Sequence, residues 1–356
     1  MTALKDVRRQ DFFLVASSAN AQAIPVELPI VAVVIPAYRA AATVPNVIAG
    51  VPAFVRHIVV VDDGSGDATG RVVRDLHDPR VDLVAHERNQ GVGAAVMTGY
   101  ERAVALGAEV IAKMDADGQM DPDHLLALIT PIVIGKADYT KGNRFLHARE
   151  LRAMPGRRRF GNAGLSFMTK LASGYWGIFD PTNGYTAIHA SLVPLLAEAP
   201  IGKRYFFESS MLLSLSLLRG VVRDVYIPAR YPLGSKSQLS ESRAALQFPW
   251  RLLRGFLRRV RLEYFVRDFT AVSLYLVFGF VLTLFGLIWG VWHWALSAQV
   301  GVPATTGTVM IAVLPIIVGV QLLLQALTLD IANVPSEPVH TSVRLVTADR
   351  ARGDRP

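Results

Sequence analysis

The sequence predicts an α/β domain with a mostly parallel central sheet flanked by helices, followed by a hairpin of two membrane-spanning helices. Three observations predict it. Short β-branched runs alternate with helical stretches of about 10–15 residues through the first two-thirds of the 356 residues. The strand-like runs end in polar or acidic turns. From Phe269 to Leu329 there is no Asp, Glu, Lys or Arg.

Val31-Ala32-Val33-Val34-Ile35, stopped by Pro36, reads as a first buried strand. A helical stretch follows over 43–55. His57-Ile58-Val59-Val60-Val61 is a second strand, ending in Asp62-Asp63-Gly64-Ser65-Gly66-Asp67. A helix over 69–76 and a strand over 81–85 come next. A helix then runs from Gly91 to Leu106, and the strand Glu109–Met114 leads into Asp115-Ala116-Asp117. In sheets of this kind ligands bind beyond the carboxyl ends of the strands. Pro36-Ala37-Tyr38, Asp62-Asp63 and Asp115-Ala116-Asp117 all fall there, which implies one nucleotide-binding crevice.

Beyond Arg243 the character changes. Residues 243–268 hold seven arginines against Glu263 and Asp268, with Arg251, Arg254, Arg258 and Arg261 at helical spacing beside an apolar stripe. That pattern predicts a basic amphipathic helix in a membrane interface. About twenty apolar residues cross a bilayer once, so the uncharged stretch holds two spans, near 269–294 and 307–331. Tryptophans 289, 292 and 294 mark the far interface. The loop between the spans has no Lys or Arg, whereas Arg344, Arg350, Arg352 and Arg355 follow the second span. The positive-inside rule then puts both termini and the globular domain in the cytoplasm. The expected division is a tail over 1–28, a catalytic domain over 29–240, the interfacial helix over 241–268, the hairpin over 269–333 and a cytoplasmic tail over 334–356. The apolar run at Phe12–Ala16 is too short for a secretory signal.

The formal net charge of +8 calls for an acidic partner. No zinc spacing, RNA-binding aromatic signature or recognition helix supports nucleic acid. With no cysteine, disulfides, thiolate metal sites and a Cys nucleophile are excluded. A lipid bilayer and phosphorylated substrates remain as partners, and a homo-oligomer is allowed.

Asp115-Ala116-Asp117-Gly118-Gln119 is the central motif. Two carboxylates two residues apart at a strand end can share a cleft, and hard oxygen ligands suit Mg2+ or Mn2+. Alone, such a pair also serves as a turn or helix cap. Asp62-Asp63-Gly64-Ser65 is a capping turn or a nucleoside contact through Asp63. Asn89-Gln90-Gly91-Val92-Gly93-Ala94-Ala95 is similar to a Gly-rich phosphate loop, but its small residues also permit close helix packing. His189 reads as a packed histidine. The run Arg157-Arg158-Arg159, with Arg144, Arg230 and Lys236, has no acidic partner close in sequence and suits phosphate.

Taken together and in this order, Ile35-Pro36-Ala37-Tyr38, Val61–Thr69, Asn89–Ala95 and Asp115–Gln119 resemble a family-two glycosyltransferase of the GT-A fold. The resemblance is to the polyprenyl- and dolichol-phosphate mannose and glucose synthases, and covers roughly residues 30–240. It implies a nucleotide-sugar donor, linked to UDP or GDP, and a polyprenyl phosphate acceptor. Pro36, Tyr38, Val61 and Asp63 would line the nucleoside pocket. Asp115, Ala116, Asp117 and Gln119 would contact the donor, with Asp117, Gln119 and Asp115 at the metal. Gly142-Asn143-Arg144 is similar to the family's Gly-Ser-Arg, so Arg144 would face phosphate. Asp180-Pro181-Thr182-Asn183-Gly184-Tyr185 resembles a segment near the acceptor, with Asp180 positioning it or acting as base. Phe207-Glu208, Pro228-Ala229-Arg230-Tyr231 and Gly234-Ser235-Lys236-Ser237 match further family segments. The residues expected to carry catalysis are Asp117, Asp180, Arg144 and Arg230. Arg144, Arg157, Arg158, Arg159, Arg230 and Lys236 would meet the acceptor phosphate.

Two positions depart from the pattern: Arg39-Ala40 stands where the family often has Asn-Glu, and Asn143 replaces a serine. A processive polysaccharide synthase would resemble Gln-x-x-Arg-Trp near the membrane. Gln247-Phe248-Pro249-Trp250-Arg251 does not match, and two spans are few for a polymer channel. A binding protein that keeps the fold without catalysis would not need Asp115, Asp117 and Gln119. The expected reaction is in-line transfer with inversion at the sugar carbon. The phosphate nucleophile is already ionised, and cations must screen two anions at once.

Overall fold

The computed structural model describes residues 13–14, 24–25, 28–144, 156–204, 206–228 and 241–341. The chain divides into two compact units, Met1–Leu253 with Pro335–Pro356, and Arg254–Val334.

The first unit is built on seven strands: β1 (Val31–Ala37), β2 (His57–Asp62), β3 (Val81–Ala85), β4 (Val110–Lys113), β5 (Tyr139–Asn143), β6 (Thr186–His189) and β7 (Val222–Tyr226). Their order is β3-β2-β1-β4-β6-β5-β7. β3, β2, β1 and β4 are parallel. β6 runs antiparallel to both β4 and β5, and β5 pairs in parallel with β7. The strand pass along the sequence leads to a parallel sheet; β6 is the exception. Its four residues are all buried, so nothing in its apolar pattern encodes direction.

Helices α1 (Val44–Gly50), α2 (Thr69–Asp75), α3 (Val92–Ala105), α4 (Leu125–Val133), α5 (Gly156–Ser173), α6 (Val193–Ala197) and α7 (Phe207–Leu217) accompany the sheet. Val33, Ile35, Ile58 and Val60 pack in one core with Val44, Ile48, Leu125 and Ile129. The alternate residues Val34 and Val61 meet α3, where a Cβ at Gly99 would lie 2.3 Å from Val34. Helices therefore cover both faces of the sheet.

The segment after residue 334 reads in sequence as a plain tail. In the structure it is docked as far as it is described. Asp138, fully buried beside β5, accepts hydrogen bonds from the Val221, Val339 and His340 backbone N–H groups at 2.7–2.9 Å. It also meets His340 Nδ1 at 2.8 Å. The His340 ring stacks on His189, centroids 4.2 Å apart. His189 is thus a packing residue.

The second unit holds the end of α8 (Glu241–Arg261), a π-helical turn (Leu262–Arg267) and two long helices, α9 (Ala271–Val300) and α10 (Thr306–Ala332). Both long helices are apolar enough to cross a membrane. α9 runs six residues past the expected end of the first span, because its stop is Gly301, left-handed at φ 71°. Glycines bring α9 and α10 into contact: a Cβ at Gly286 would lie 2.5 Å from the Ala312 carbonyl oxygen. Arg259, Tyr264 and Asp330 form a buried polar knot, with Arg259 reaching Asp330 at 2.6 Å and Tyr264 donating to it at 2.5 Å. Arg259 is thereby withdrawn from the basic face of α8.

Candidate functional site

The carboxyl ends of β2, β1 and β4 lie side by side, with Ala37 opposite Asp62 and Val34 opposite Lys113. The loops that leave them are tied together. Arg39 takes a left-handed backbone at φ 53°, and its N–H donates to Ser65 Oγ at 2.9 Å. The Ala40 N–H donates to Thr69 Oγ1. The position that departs from the family pattern is therefore a corner between the first two loops. Beside it Tyr38 is 45% exposed, with the Arg39 guanidinium 5.2 Å from its ring centre. Pro36 is half-buried in β1, and Val61 is wholly buried in β2.

Asp63 is buried too, and its carboxylate is committed to the protein. It accepts from the Gln90 and Gly91 N–H groups at 2.9 and 2.8 Å and meets His86 Nδ1 at 2.8 Å. His86 Nε2 lies 3.1 Å from Thr98 Oγ1. Facing a carboxylate that only accepts, Nδ1 carries the proton. Asp63 thus holds residues 86–91 against the end of β2.

The Gly93 and Ala94 N–H groups point at the Lys203 carbonyl oxygen, at 2.9 and 3.4 Å. A Cβ at Gly93 would lie 2.1 Å from the Gly202 oxygen. The glycines admit the 202–203 backbone to the start of α3, so those N–H groups are not a phosphate cradle.

Past β4 the chain turns through Asp115, Ala116, Asp117, Gly118 and Gln119. Ala116 is buried, Asp115 and Gln119 are half-buried, and Asp117 is exposed. The Gln119 N–H donates to Asp117 Oδ1 at 3.0 Å, closing the turn. Partial desolvation holds the Asp117 carboxyl above its ordinary range, and the charge of Asp115 adds to this.

Asp115 is held from beneath. Lys113, 1% exposed, reaches Asp115 Oδ1 at 2.8 Å and Glu208 Oε1 on α7 at 3.4 Å. Burial alone would lower this ammonium, but the two carboxylates outweigh it and raise it. A Cβ at Gly184 would lie 2.6 Å from Lys113 Nζ and 2.8 Å from Asp115 Oδ2. The bare backbone at 184 is what lets the 180–185 segment lie against the aspartate motif.

From Gly184 the site continues to Asp180 and Arg144. The Arg144 guanidinium grips Asp180 with two bonds, Nε to Oδ2 at 2.7 Å and the second terminal nitrogen to Oδ1 at 3.1 Å. Asp180 is 1% exposed and Arg144 30%. Two residues named separately from sequence are one ion pair. Nearby Lys141 donates to the Asn183 carbonyl, and burial lowers its ammonium to about 8 despite Glu208 and Asp180. Arg157, Arg158 and Arg159 open α5, but their side chains lie outside the described residues, as do Arg230 and Lys236.

Among the described residues no three His, Asp or Glu side chains gather as a metal cluster. Asp117, with Asp115 and Gln119 beside it, fits a hard divalent ion that takes one or two carboxylates and completes its shell with water and substrate phosphate. The motif reading does not single out Lys113. Its signal is a lone lysine in the apolar run Val110-Ile111-Ala112-Lys113-Met114, which requires a buried carboxylate partner.

The seven-stranded α/β sheet carries acidic loops at the carboxyl ends of its parallel strands, with the 180–185 segment packed tightly against one of them. The sequence profile described as Glycosyl transferase family 2 matches residues 32–194. The UDP-N-acetylglucosamine–dolichyl-phosphate N-acetylglucosaminyltransferase of Methanococcus voltae is 34% identical over 187 residues, 48% of this chain and 74% of that protein. The polyprenol monophosphomannose synthase of Mycolicibacterium smegmatis is 31% identical over 182 residues, 49% of this chain and 68% of that protein. Glucosyl-3-phosphoglycerate synthase from Mycobacterium tuberculosis, solved with Mn2+, UDP-glucose and phosphoglyceric acid, is 18% identical with a TM-score of 0.49, covering 65% of this chain and 79% of that one. The chain belongs to glycosyltransferase family 2, has the GT-A fold, and is a glycosyltransferase.

Proposed function

We propose that this enzyme transfers one sugar from a nucleotide-sugar, UDP- or GDP-linked, to polyprenyl phosphate at the cytoplasmic face of a bacterial inner membrane. The product would serve as a polyprenyl-phosphate-sugar donor for cell-envelope glycosylation. The observation that carries this reading is the meeting at Gly184: the aspartate motif on one side, the Arg144–Asp180 pair on the other. The relatives named for dolichyl phosphate and polyprenol support the acceptor class. Two apolar helices and the arginine-rich α8 suit a lipid-borne substrate.

On this reading Tyr38 and the residue 86–91 wall bound the nucleoside. Asp117, with Asp115 and Gln119, holds Mg2+ or Mn2+, which when bound neutralises the donor diphosphate and its leaving charge. Lys113 keeps the Asp115 carboxylate in place. Arg144 offers its outer nitrogens to the acceptor phosphate while Asp180 orients the guanidinium. Paired with that guanidinium, Asp180 serves as a positioning group; a phosphate dianion needs no strong base.

The test is the product. Full-length protein in detergent is given a panel of radiolabelled nucleotide-sugars with polyprenyl phosphate and Mn2+, and the label is followed into organic extract. A single-sugar lipid phosphate is expected. Label in a growing polymer, or in water alone, contradicts the proposal.

A further inference from the structure

Asp224 lies on β7, outside every motif read from the sequence. Its Oδ2 accepts two hydrogen bonds, from the Asn143 side-chain amide at 2.9 Å and from the Phe179 backbone N–H at 2.8 Å. Asn143 immediately precedes Arg144, and Phe179 immediately precedes Asp180. One carboxylate oxygen thus grips the neighbour of each partner in the ion pair.

We propose that Asp224 is a positioning residue for the acceptor phosphate, setting the Arg144–Asp180 pair by fixing both chains that carry it. This rests on the reading of Arg144 as a phosphate ligand. Three further observations support the clamp. Residues 174–185 contain no helix or strand, and Phe179 is 43% exposed, with the Lys170 ammonium over its ring, 5.3 Å from the centre. Its backbone is held at both ends, by Asp224 on the N–H and Ser166 Oγ on the carbonyl, each at 2.8 Å. Asp224 pairs in register with Lys141, so Asn143 shares its face of the sheet, two residues further along the neighbouring strand. The family's serine at 143 would have a shorter side chain; the amide spans to β7. Finally, Asp224 is kept at a cost. Its Oδ1 is buried with no hydrogen-bond partner among the described residues, and burial raises its carboxyl to about 6, with Lys141 and Asp180 facing it. Retaining a carboxyl under those conditions fits a group needed for its two bonds.

The test compares steady-state kinetics for polyprenyl phosphate with donor affinity by calorimetry, on full-length wild type, Asp224→Ala, Asp224→Asn, Asn143→Ala and Arg144→Ala. Asp224→Ala should lower kcat/KM for the lipid by about tenfold or more, as expected for a displaced electrostatic contact. Donor affinity should stay within about twofold. Asp224→Asn should recover to within about threefold of wild type, because one amide oxygen can accept both bonds. A folded Asp224→Ala enzyme with unchanged lipid kinetics, or with equal loss toward both substrates, overturns the proposal. Should Asp224→Ala not fold, Asn143→Ala removes one bond of the two and must still weaken the lipid side alone; no effect there overturns it equally. Arg144→Ala separates the two claims. If it leaves lipid kinetics intact, the phosphate-ligand reading fails. If it damages them while the Asp224 and Asn143 variants do not, only the clamp fails.

Discussion

The two halves of the sheet place their polar groups by different means. In the parallel half, β1, β2 and β4 each end in a short loop that carries its own functional residues. Asp62 closes on the Ser65 N–H, Asp67 on Thr69, and Asp117 on Gln119. In the mixed half the polar contacts join distant segments: Arg144 with Asp180, and Phe179 and Asn143 with Asp224. The parallel half closes its turns locally, although Asp63 also draws in residues 86–91. The contacts of the mixed half depend on the fold being complete.

The boundary between the halves is where a break should cost most. Gly184→Val would push a side chain into Lys113 and Asp115 at 2.6–2.8 Å. Transfer should fall by about 10²-fold or more, the scale of a lost electrostatic group, and donor and acceptor kinetics should both suffer. Retained donor affinity by calorimetry would mean that the halves are independent at this point.

Arg144→Ala sharpens the comparison from one side. Transfer to the lipid should drop by about 10²-fold, with donor affinity little changed. The buried Asp180 then loses its partner, so a lower Tm is expected as well, and Arg144→Lys should restore stability better than activity, because an ammonium lacks the two-pronged fork. Equal loss of donor binding would place Arg144 with the donor instead.

The smallest effect belongs to the docked segment after the hairpin. Asp138→Ala removes an acceptor used by Val221, Val339 and His340. The expected cost is about 1–3 kcal/mol of stability, read by thermal melting, with kcat/KM for both substrates unchanged. Burial works to raise this carboxyl, but the bonds from His340 and the backbone outweigh it and hold it below its ordinary range. Its contribution is therefore complete above the unfolded carboxylate value near ~3.9 and is lost as pH falls through the lower folded value. An Asp138-dependent stability that instead grew as pH fell below the ordinary carboxylate range would contradict this pairing.

The same contrast decides what could be read in advance. β1, β2 and β4 and the acidic loops are legible because apolar runs and turn residues are local signals. The pair of long apolar helices is legible because charge vanishes from 269 to 329. The antiparallel entry of β6 is not, since a four-residue buried strand looks alike in both directions. Asp63 is legible as important but not in its role: three donors from residues 86–91 occupy it, and no spacing rule reveals partners that far along the chain. In sequence Asp180 reads as positioning the acceptor or acting as base, and its pairing with Arg144 is visible only once β5 and the 174–185 segment are brought together. Asp224 carries no motif at all.

The most direct measurement is metal-dependent transfer by the wild type beside Asp117→Ala, each shown to be folded by thermal melting. Label should pass from nucleotide-sugar to polyprenyl phosphate with Mn2+ or Mg2+, disappear with EDTA and return on adding metal. The folded Asp117→Ala enzyme should lose transfer by about 10²-fold or more. Full activity in that variant, or transfer that EDTA does not touch, would contradict a metal–diphosphate site at the end of β4.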